Sequence, residues 1–441
     1  MIKKTIAVFI FCILFWPVVA AAEIRIQSVT SDHGITAWLI EDHTLPIVSI
    51  NFSIPNPAST VPIGTHDMAA NLLTEGAGNY NSQQFQQKLT DLATSINFSA
   101  DQDYFSGSLR SLRKNLDASM ELMALCLNAP KLDKASIERV RAQSIASIKN
   151  GQSDPETIAS QLWAKSFFGD HRYGQFSTIE SVQSVQKSHI RDYLRQTLHR
   201  GGLIIGVAGD ITPDELKILI DKTFAALPNT TAANASRPIP TDRPGGEYRK
   251  SMDLKQTVAI FGHVGVKRRD ADFYPAYIMN YILGGGSFSS RLMEVVRDQH
   301  GLAYSVSTSL QTLRDGGIIS GYVATKSENF SESQRYIKDI WQTLPDTISD
   351  ADVDAAKQYL LGSFPLRFSS TAQISAILVA IQQDDLGIDF FTRRNAMVDA
   401  VTPDDVRRTA KKLLSPDHLL FAIVGPDAKP EPSTPKQDPS P

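Results

Sequence analysis

One helix-to-strand unit occurs twice in the chain. Val185, Ile190 and the run Leu203–Gly209 (LIIGVAG) recur 216 positions later as Val401, Val406 and Leu419–Gly425 (LLFAIVG), without a gap. In each copy a helix leads into a buried strand closed by glycine. Two generic helix–strand units can imitate such a match, yet its gapless phase predicts an internal duplication: two α+β halves of roughly 200 residues each. Between them, residues 228–249 carry Pro228, Pro238, Pro240 and Pro244, a glycine pair and no apolar period, and read as a linker. The halves then run over 23–227 and 250–425, and the Pro-, Asp-, Lys- and Ser-rich residues 426–441 read as a disordered tail.

In the first half, Gly34–Ile40 and Ile47–Ile54 alternate as strands do, and residues 96–112 read as two strands joined at Ala100–Asp103. There Asp101 and Asp103 have the look of ordinary turn residues. Met68–Leu73 and Ser82–Thr94 read as helices, the latter with Ser82 as its cap. Further helices are predicted at Leu116–Leu127, Lys134–Lys149, Thr157–Phe168, Ser188–Leu198 and Pro213–Leu227.

The second half holds the stretch with chemical interest, Asn280–Val306 (NYILGGGSFSSRLMEVVRDQHGLAYSV). Gly284, Gly285 and Gly286 are predicted to stop a helix by left-handed φ. Ser287, Ser289 or Ser290 then caps a second helix, Gly301 ends it, and Leu302–Leu310 is a strand. Arg297, late on that helix, and Tyr304, early on the strand, are placed so that a guanidinium fork and a phenol reach one carbonyl oxygen. The plain alternative is a surface arginine and a half-buried strand tyrosine.

Residues 1–22 read as a secretory signal, with Lys3 and Lys4 before an apolar run and Ala20–Ala22 as cleavage site. A mature chain from Glu23 keeps Cys126 as its only cysteine, so no internal disulfide is available. That suits a large periplasmic protein, with no membrane span left after cleavage. The formal net charge of −3, with 21% charged residues of both signs, argues against a nucleic-acid surface. The triple glycine follows a helix and lacks a trailing Gly-Lys-Ser/Thr, which removes phosphate-loop readings, and no Gly-x-Ser-x-Gly elbow is present.

The run GGGSFSSRLMEVVRDQHGLAYSV resembles the second-half signature of the pitrilysin/insulinase family of zinc metallopeptidases, which includes the mitochondrial processing peptidase. The resemblance extends over nearly the whole mature chain. It implies two α/β-sandwich halves that face each other as a clamp, with peptide substrate added as a strand to a sheet edge. It also implies that Arg297 and Tyr304 bind substrate near zinc, with Gly284, Gly285 and Gly286 on the substrate side.

The family's His-x-x-Glu-His helix corresponds to Gly64–Gly76 (GTHDMAANLLTEG). Its two histidine positions fall on Asp67 and Asn71, and its glutamate on Ala70. A one-residue slip brings in His66 but leaves Ala69 and Ala70 at the other two places. The distal carboxylate belongs within residues 139–153, which contain no Asp or Glu; Ala146 and Ser147 stand near its place. The nine histidines include no pair three or four apart, so no helical His pair exists. No metal site is therefore expected in this chain.

The resemblance thus points to the subunit type that lacks zinc ligands and keeps the Arg/Tyr pair. The expected function is the non-zinc subunit of a periplasmic heterodimeric peptidase acting on unfolded peptides, with zinc on a homologous partner. The alternative is a catalytically inactive peptide-binding or assembly protein of the same fold.

Overall fold

The computed structural model describes residues 25–57, 61–231 and 236–426. The signal segment and all of the tail beyond Pro426 lie outside the described residues.

The first half contains β1 (Gln27–Thr30), β2 (Thr36–Glu41), β3 (Ile47–Pro55), the short hairpin β4 (Gly76–Ala77) and β5 (Tyr80–Asn81), β6 (Ser95–Ala100), β7 (Tyr104–Leu112) and β8 (Ile204–Gly209). Its helices are α1 (Thr65–Leu72), α2 (Ser82–Asp91), α3 (Leu116–Asn128), α4 (Lys134–Gly151), α5 (Pro155–Phe168), α6 (Ile179–Ser184), α7 (Lys187–Thr197) and α8 (Pro213–Phe224). The second half contains β9 (Gly246–Ser251), β10 (Gln256–Val264), β11 (Ala303–Leu313), β12 (Gly316–Lys326) and β13 (Leu420–Gly425). Its helices are α9 (Phe273–Asn280), α10 (Phe330–Thr347), α11 (Asp350–Gly362), α12 (Thr371–Gln383), α13 (Phe390–Asp399) and α14 (Pro403–Leu413).

The sheets run β1-β2-β8-β3-β7-β6 and β9-β13-β10-β12-β11. Strand for strand these are the same order, with β1 extra, and in both the one parallel pair is the equivalent one: β2 with β8, β9 with β13. Helices α4, α5, α7 and strand β8 precede α11, α12, α14 and β13 by 216 residues at their starts. The linker reading is corrected at its end. Residues 246–249 are not linker but the first part of β9, because Gly246–Ser251 pairs in register with Leu420–Gly425.

Each sheet packs its own helices on one face and a helix from the other half on the opposite face. Along β3, Val48, Ile50, Phe52 and Ile54 enter the first-half core. The alternate residues face α12: Ser49 Oγ meets Thr371 Oγ1 at 2.8 Å, Asn51 Nδ2 donates to Ser375 Oγ at 2.6 Å, and Gln383 Nε2 donates to Ser53 Oγ at 2.8 Å. Period-two alternation makes one strand serve both faces. In return α5 covers the second sheet through Trp163, Phe167 and Phe168, and Trp163 Nε1 donates to Leu420 O at 3.2 Å. The close approach of α12 explains Gly206, where a Cβ would lie 2.4 Å from Ser375 O.

Local corrections are small. Asn81, not Ser82, caps α2, in a reciprocal pair with Gln84. Asp101 is the turn residue expected, accepting from the backbone of Asp103 and Tyr104 at 2.7 Å each. Asp103 is not one: its side chain crosses to the second half.

Under the second sheet, Trp341 Nε1–H donates to His263 Nε2 at 2.8 Å while His263 Nδ1–H donates to Val264 O at 2.7 Å. Burial lowers the His263 pKa from 6.5 to about 4. The folded state therefore binds this proton less readily than the unfolded chain. The stabilisation is complete above pH 6.5 and is lost as pH falls from there to about 4, by about 3 kcal/mol at the lower end. His263→Gln is expected to flatten the decline of urea-unfolding stability between pH 7.5 and 4.5 by that amount; an unchanged slope contradicts it.

Candidate functional site

Three departures from regular backbone converge on Arg297 and Tyr304. First, α9 ends at the glycines, as expected, but changes its winding before it does. It widens into a π-type turn over Tyr281–Gly285, closed by Gly286 N–H donating to Tyr281 O at 2.8 Å. None of Gly284, Gly285 and Gly286 has positive φ, contrary to the expectation; the left-handed residue is Ser287, at φ 52°. The glycines are there for close approach. A Cβ on Gly284 would lie 2.7 Å from Thr308 N, one on Gly285 2.7 Å from Asn280 Nδ2, and one on Gly286 2.8 Å from Tyr281 O. Gly284 is buried and Gly285 exposed.

Second, the helix carrying Arg297 is π-wound over Met293–Gln299, with Leu302 N–H reaching back to Val296 O at 2.9 Å. Leu292 and Val296 are buried beneath it. No serine hydroxyl caps its start. Ser290 Oγ instead donates to Ser287 O at 2.7 Å and fastens the turn before it. Gly301, at φ 63°, ends the helix as expected.

Third, the pairing of β11 with β12 slips at Tyr304: Ala303 faces Thr325 and Ser305 faces Ala324, leaving Tyr304 as the extra residue of a β-bulge. A bulge re-aims the side chain it carries. Tyr304 is 84% exposed, not half-buried. It also lies on an edge strand of its sheet.

The pair is together in space. The Arg297 guanidinium carbon is 5.7 Å from the centre of the Tyr304 ring and 4.7 Å from that of Phe288, itself 65% exposed. The carboxylate nearest to Arg297 among the described ion pairs is that of Asp298, at 4.0 Å. Its N–H groups are thus available to a carbonyl or carboxylate from outside. Phe288 was missed at the sequence level, because nothing in GGGSFSS marks an exposed phenylalanine as anything but loop.

The corresponding metal position lies elsewhere. Asp67 and Asn71, one turn apart on α1, line a cavity of about 390 Å³ with Gln143, Ser144 and Ser147 of α4; all of its lining residues belong to the first half. The fold thus sets Ser147, rather than Ala146, opposite the α1 residues. Ala70 is buried in the core. Burial pushes the Asp67 carboxyl above its usual range; His66 opposes this and the Asp101 charge adds to it. One carboxylate, two amides and two hydroxyls do not fit zinc, which takes imidazole, thiolate and carboxylate. Among the described residues no group of three His, Cys, Asp or Glu is placed to hold a metal. Restoring Asp67→His, Ala70→Glu and Asn71→His is expected to leave zinc substoichiometric after desalting and peptidase activity at background. Adding Ser147→Glu should raise zinc retention. Robust activity from the triple change alone would place the third ligand elsewhere.

A second cavity, of about 510 Å³, lies between the halves, lined by His66, Asp67, Asp101, Tyr193, Arg237 and Asp315 among others. Beside it a buried network ties the halves. Arg172 Nη2 meets Asp103 Oδ1 at 2.6 Å and Asp315 Oδ2 at 2.7 Å. Tyr173 OH donates to Asp103 at 2.8 Å, Ser236 Oγ donates to Asp315 Oδ1 at 2.6 Å, and the His171 ring donates to Arg237 O at 2.6 Å. Burial pushes the Asp103 carboxyl up, although Tyr173 and Arg172 hold it down in part.

A duplicated α+β fold and a displayed arginine–tyrosine pair define a class: a two-halved α+β protein with no cluster of metal-ligand side chains among its described residues. Residues 64–199 match the family described as Insulinase (Peptidase family M16), and residues 184–360 match the Peptidase M16 inactive domain. The chain belongs to the insulinase family. Among relatives, a "Non-peptidase homolog YmxG" of Helicobacter pylori is 26% identical over 74% of this chain and 77% of its own. An "Uncharacterized zinc protease" of Rickettsia felis is 22% identical over 72% and 77%. A solved peptidase M16 inactive domain from Pseudomonas fluorescens has the same fold, with a TM-score of 0.84 at 21% identity over 92% of this chain and 100% of that one.

Proposed function

We propose that the protein is the non-zinc subunit of a periplasmic heterodimeric metallopeptidase. It binds extended, unfolded peptides and supplies Arg297 and Tyr304 to the zinc site of a homologous partner. The observation that carries this reading is that one half-site is built and the other is not. The arginine–tyrosine pair is built on an exposed face, while the cavity at the metal position is lined by first-half residues alone and lacks ligands. A donor pair kept without a metal of its own makes chemical sense where the metal and the attacking water belong to another chain.

In this role Arg297 orients the scissile carbonyl and donates to the charge that develops on its oxygen, and Tyr304 donates a second hydrogen bond. The unpaired edge of β11 beside Tyr304 offers the substrate backbone a strand to pair with, which is recognition tolerant of sequence. Gly285 is the member of the glycine triplet exposed enough to touch that peptide. Export through residues 1–22 would place this subunit in the periplasm.

A binding or assembly role without proteolysis is the second reading; the name of the Helicobacter relative favours it. Cleavage of a quenched unfolded peptide by this chain mixed with a His-x-x-Glu-His homologue separates the two. Turnover in the mixture supports the peptidase subunit, and peptide binding without turnover for every such homologue supports the other.

A further inference from the structure

We propose that Phe288 is the positioning residue of the donor site: its ring holds the Arg297 guanidinium in the orientation in which it meets substrate. This rests on the reading of Arg297 as a donor to the partner's site.

Phe288 is 65% exposed, an unfavourable place for a large apolar side chain, and the backbone is bent to put it there. Ser287 takes a left-handed φ of 52°, which is strained for a residue with a Cβ. The strained turn is fixed by three hydrogen bonds: Ser289 N–H to Gly286 O at 3.1 Å, Ser290 N–H to Ser287 O at 3.1 Å and Ser290 Oγ–H to Ser287 O at 2.7 Å. A loop that only connected two helices would need none of this. What the strain achieves is the 4.7 Å approach of the Phe288 ring to the Arg297 guanidinium carbon, the shorter of its two ring contacts.

A carboxylate partner would also fix an arginine, but it would consume the N–H groups and cancel the charge. A ring holds the cation by its face and leaves the in-plane N–H groups free to donate. Among the described residues the one ion pair of Arg297 is weak, with Asp298 at 4.0 Å, so the aromatic contact is what sets its direction.

The test has two arms. In the chain alone, labelled with nitrogen-15, the Arg297 Nε–H signal (assigned by its loss in Arg297→Lys) is expected to carry a ring-current shift. Phe288→Trp should keep a shift and Phe288→Leu should move the signal toward the position of a free arginine, leaving the smaller contribution of the Tyr304 ring. In the complex with a zinc-bearing homologue, Phe288→Leu is expected to lower kcat about two- to fivefold at unchanged KM, with Phe288→Trp restoring it. It should cause no further loss once Arg297 is alanine. An Arg297 signal unmoved by Phe288→Leu overturns the proposal whether or not the complex is active. Equal losses with and without Arg297 overturn positioning in favour of a separate role for the ring. A shifted signal together with turnover indifferent to Arg297→Ala sinks the donor reading itself, leaving the contact but no function for it.

Discussion

Arg297→Ala is expected to lower the turnover of the peptidase complex by about 10²-fold while leaving folding and assembly intact, the usual cost of removing one preorganised donor from a developing oxyanion. Arg297 contributes from a surface helix turn, is half-exposed and anchors no core residue, so truncation removes a donor rather than a support. Tyr304→Phe is the finer test. It deletes one hydroxyl from an 84% exposed ring and leaves the β-bulge in place. A fall in kcat with KM little changed identifies an interaction made in the transition state; a rise in KM alone identifies simple substrate binding. Steady-state kinetics of the two variants in complex with the zinc-bearing homologue decides between them, and unchanged turnover in both removes the functional claim for the pair.

Asp315→Ala is expected to destabilise the fold by about 3 kcal/mol, near the low end for breaking a buried ion pair. Asp315 is fully buried at the tip of the β11–β12 hairpin, where it meets Arg172 of the first half and Ser236. The loss is held to the low end because Arg172 keeps Asp103 and is itself a quarter exposed. As this carboxylate bridges the halves, the variant should also unfold less cooperatively. Urea unfolding followed by tryptophan fluorescence and by circular dichroism gives both readouts. In a double-mutant cycle, Arg172→Met and Asp315→Ala should cost less together than the sum of their separate losses, because both remove the same ion pair. A change below about 0.5 kcal/mol, the range of ordinary surface substitutions, contradicts the bridging role.

Much of the architecture was legible in the residues. The gapless repeat of LIIGVAG as LLFAIVG corresponds to β8 and β13 in equivalent places of two sheets of one order. The alternation in Ile47–Ile54 marked β3, because period two is a local property. What escaped was long-range. Nothing near Asp103 indicates that Arg172 and the β11–β12 hairpin lie across from it, so it looked like its neighbour Asp101. The serines and amides on the outer face of β3 and on α12 carry no local sign that the exchange of helices brings them together. Residues 246–249 looked like linker because a charged strand on a sheet edge has no apolar period to betray it.

At the site, residue types were legible and geometry was not. Arg297 and Tyr304 stood out by type and by resemblance, but their proximity depends on a π-wound helix and a one-residue bulge, neither of which has a reliable signal in composition. The glycine triplet suggested a left-handed stop; the fold uses it instead for close backbone approach and gives the left-handed turn to Ser287. On the helix where the resemblance puts metal ligands, the residue types were legible and their surroundings were not: Asp67 and Asn71 line a first-half cavity and Ala70 is buried in the core. The α4 residue that faces them, Ser147, needed the packing of two helices.

The most direct measurement is zinc content and cleavage of a quenched unfolded peptide, for the mature chain alone and mixed with a His-x-x-Glu-His homologue. The account predicts a metal-free, inactive chain that raises cleavage in the mixture, with the gain lost on Arg297→Ala. Stoichiometric zinc with activity in the chain alone would contradict it.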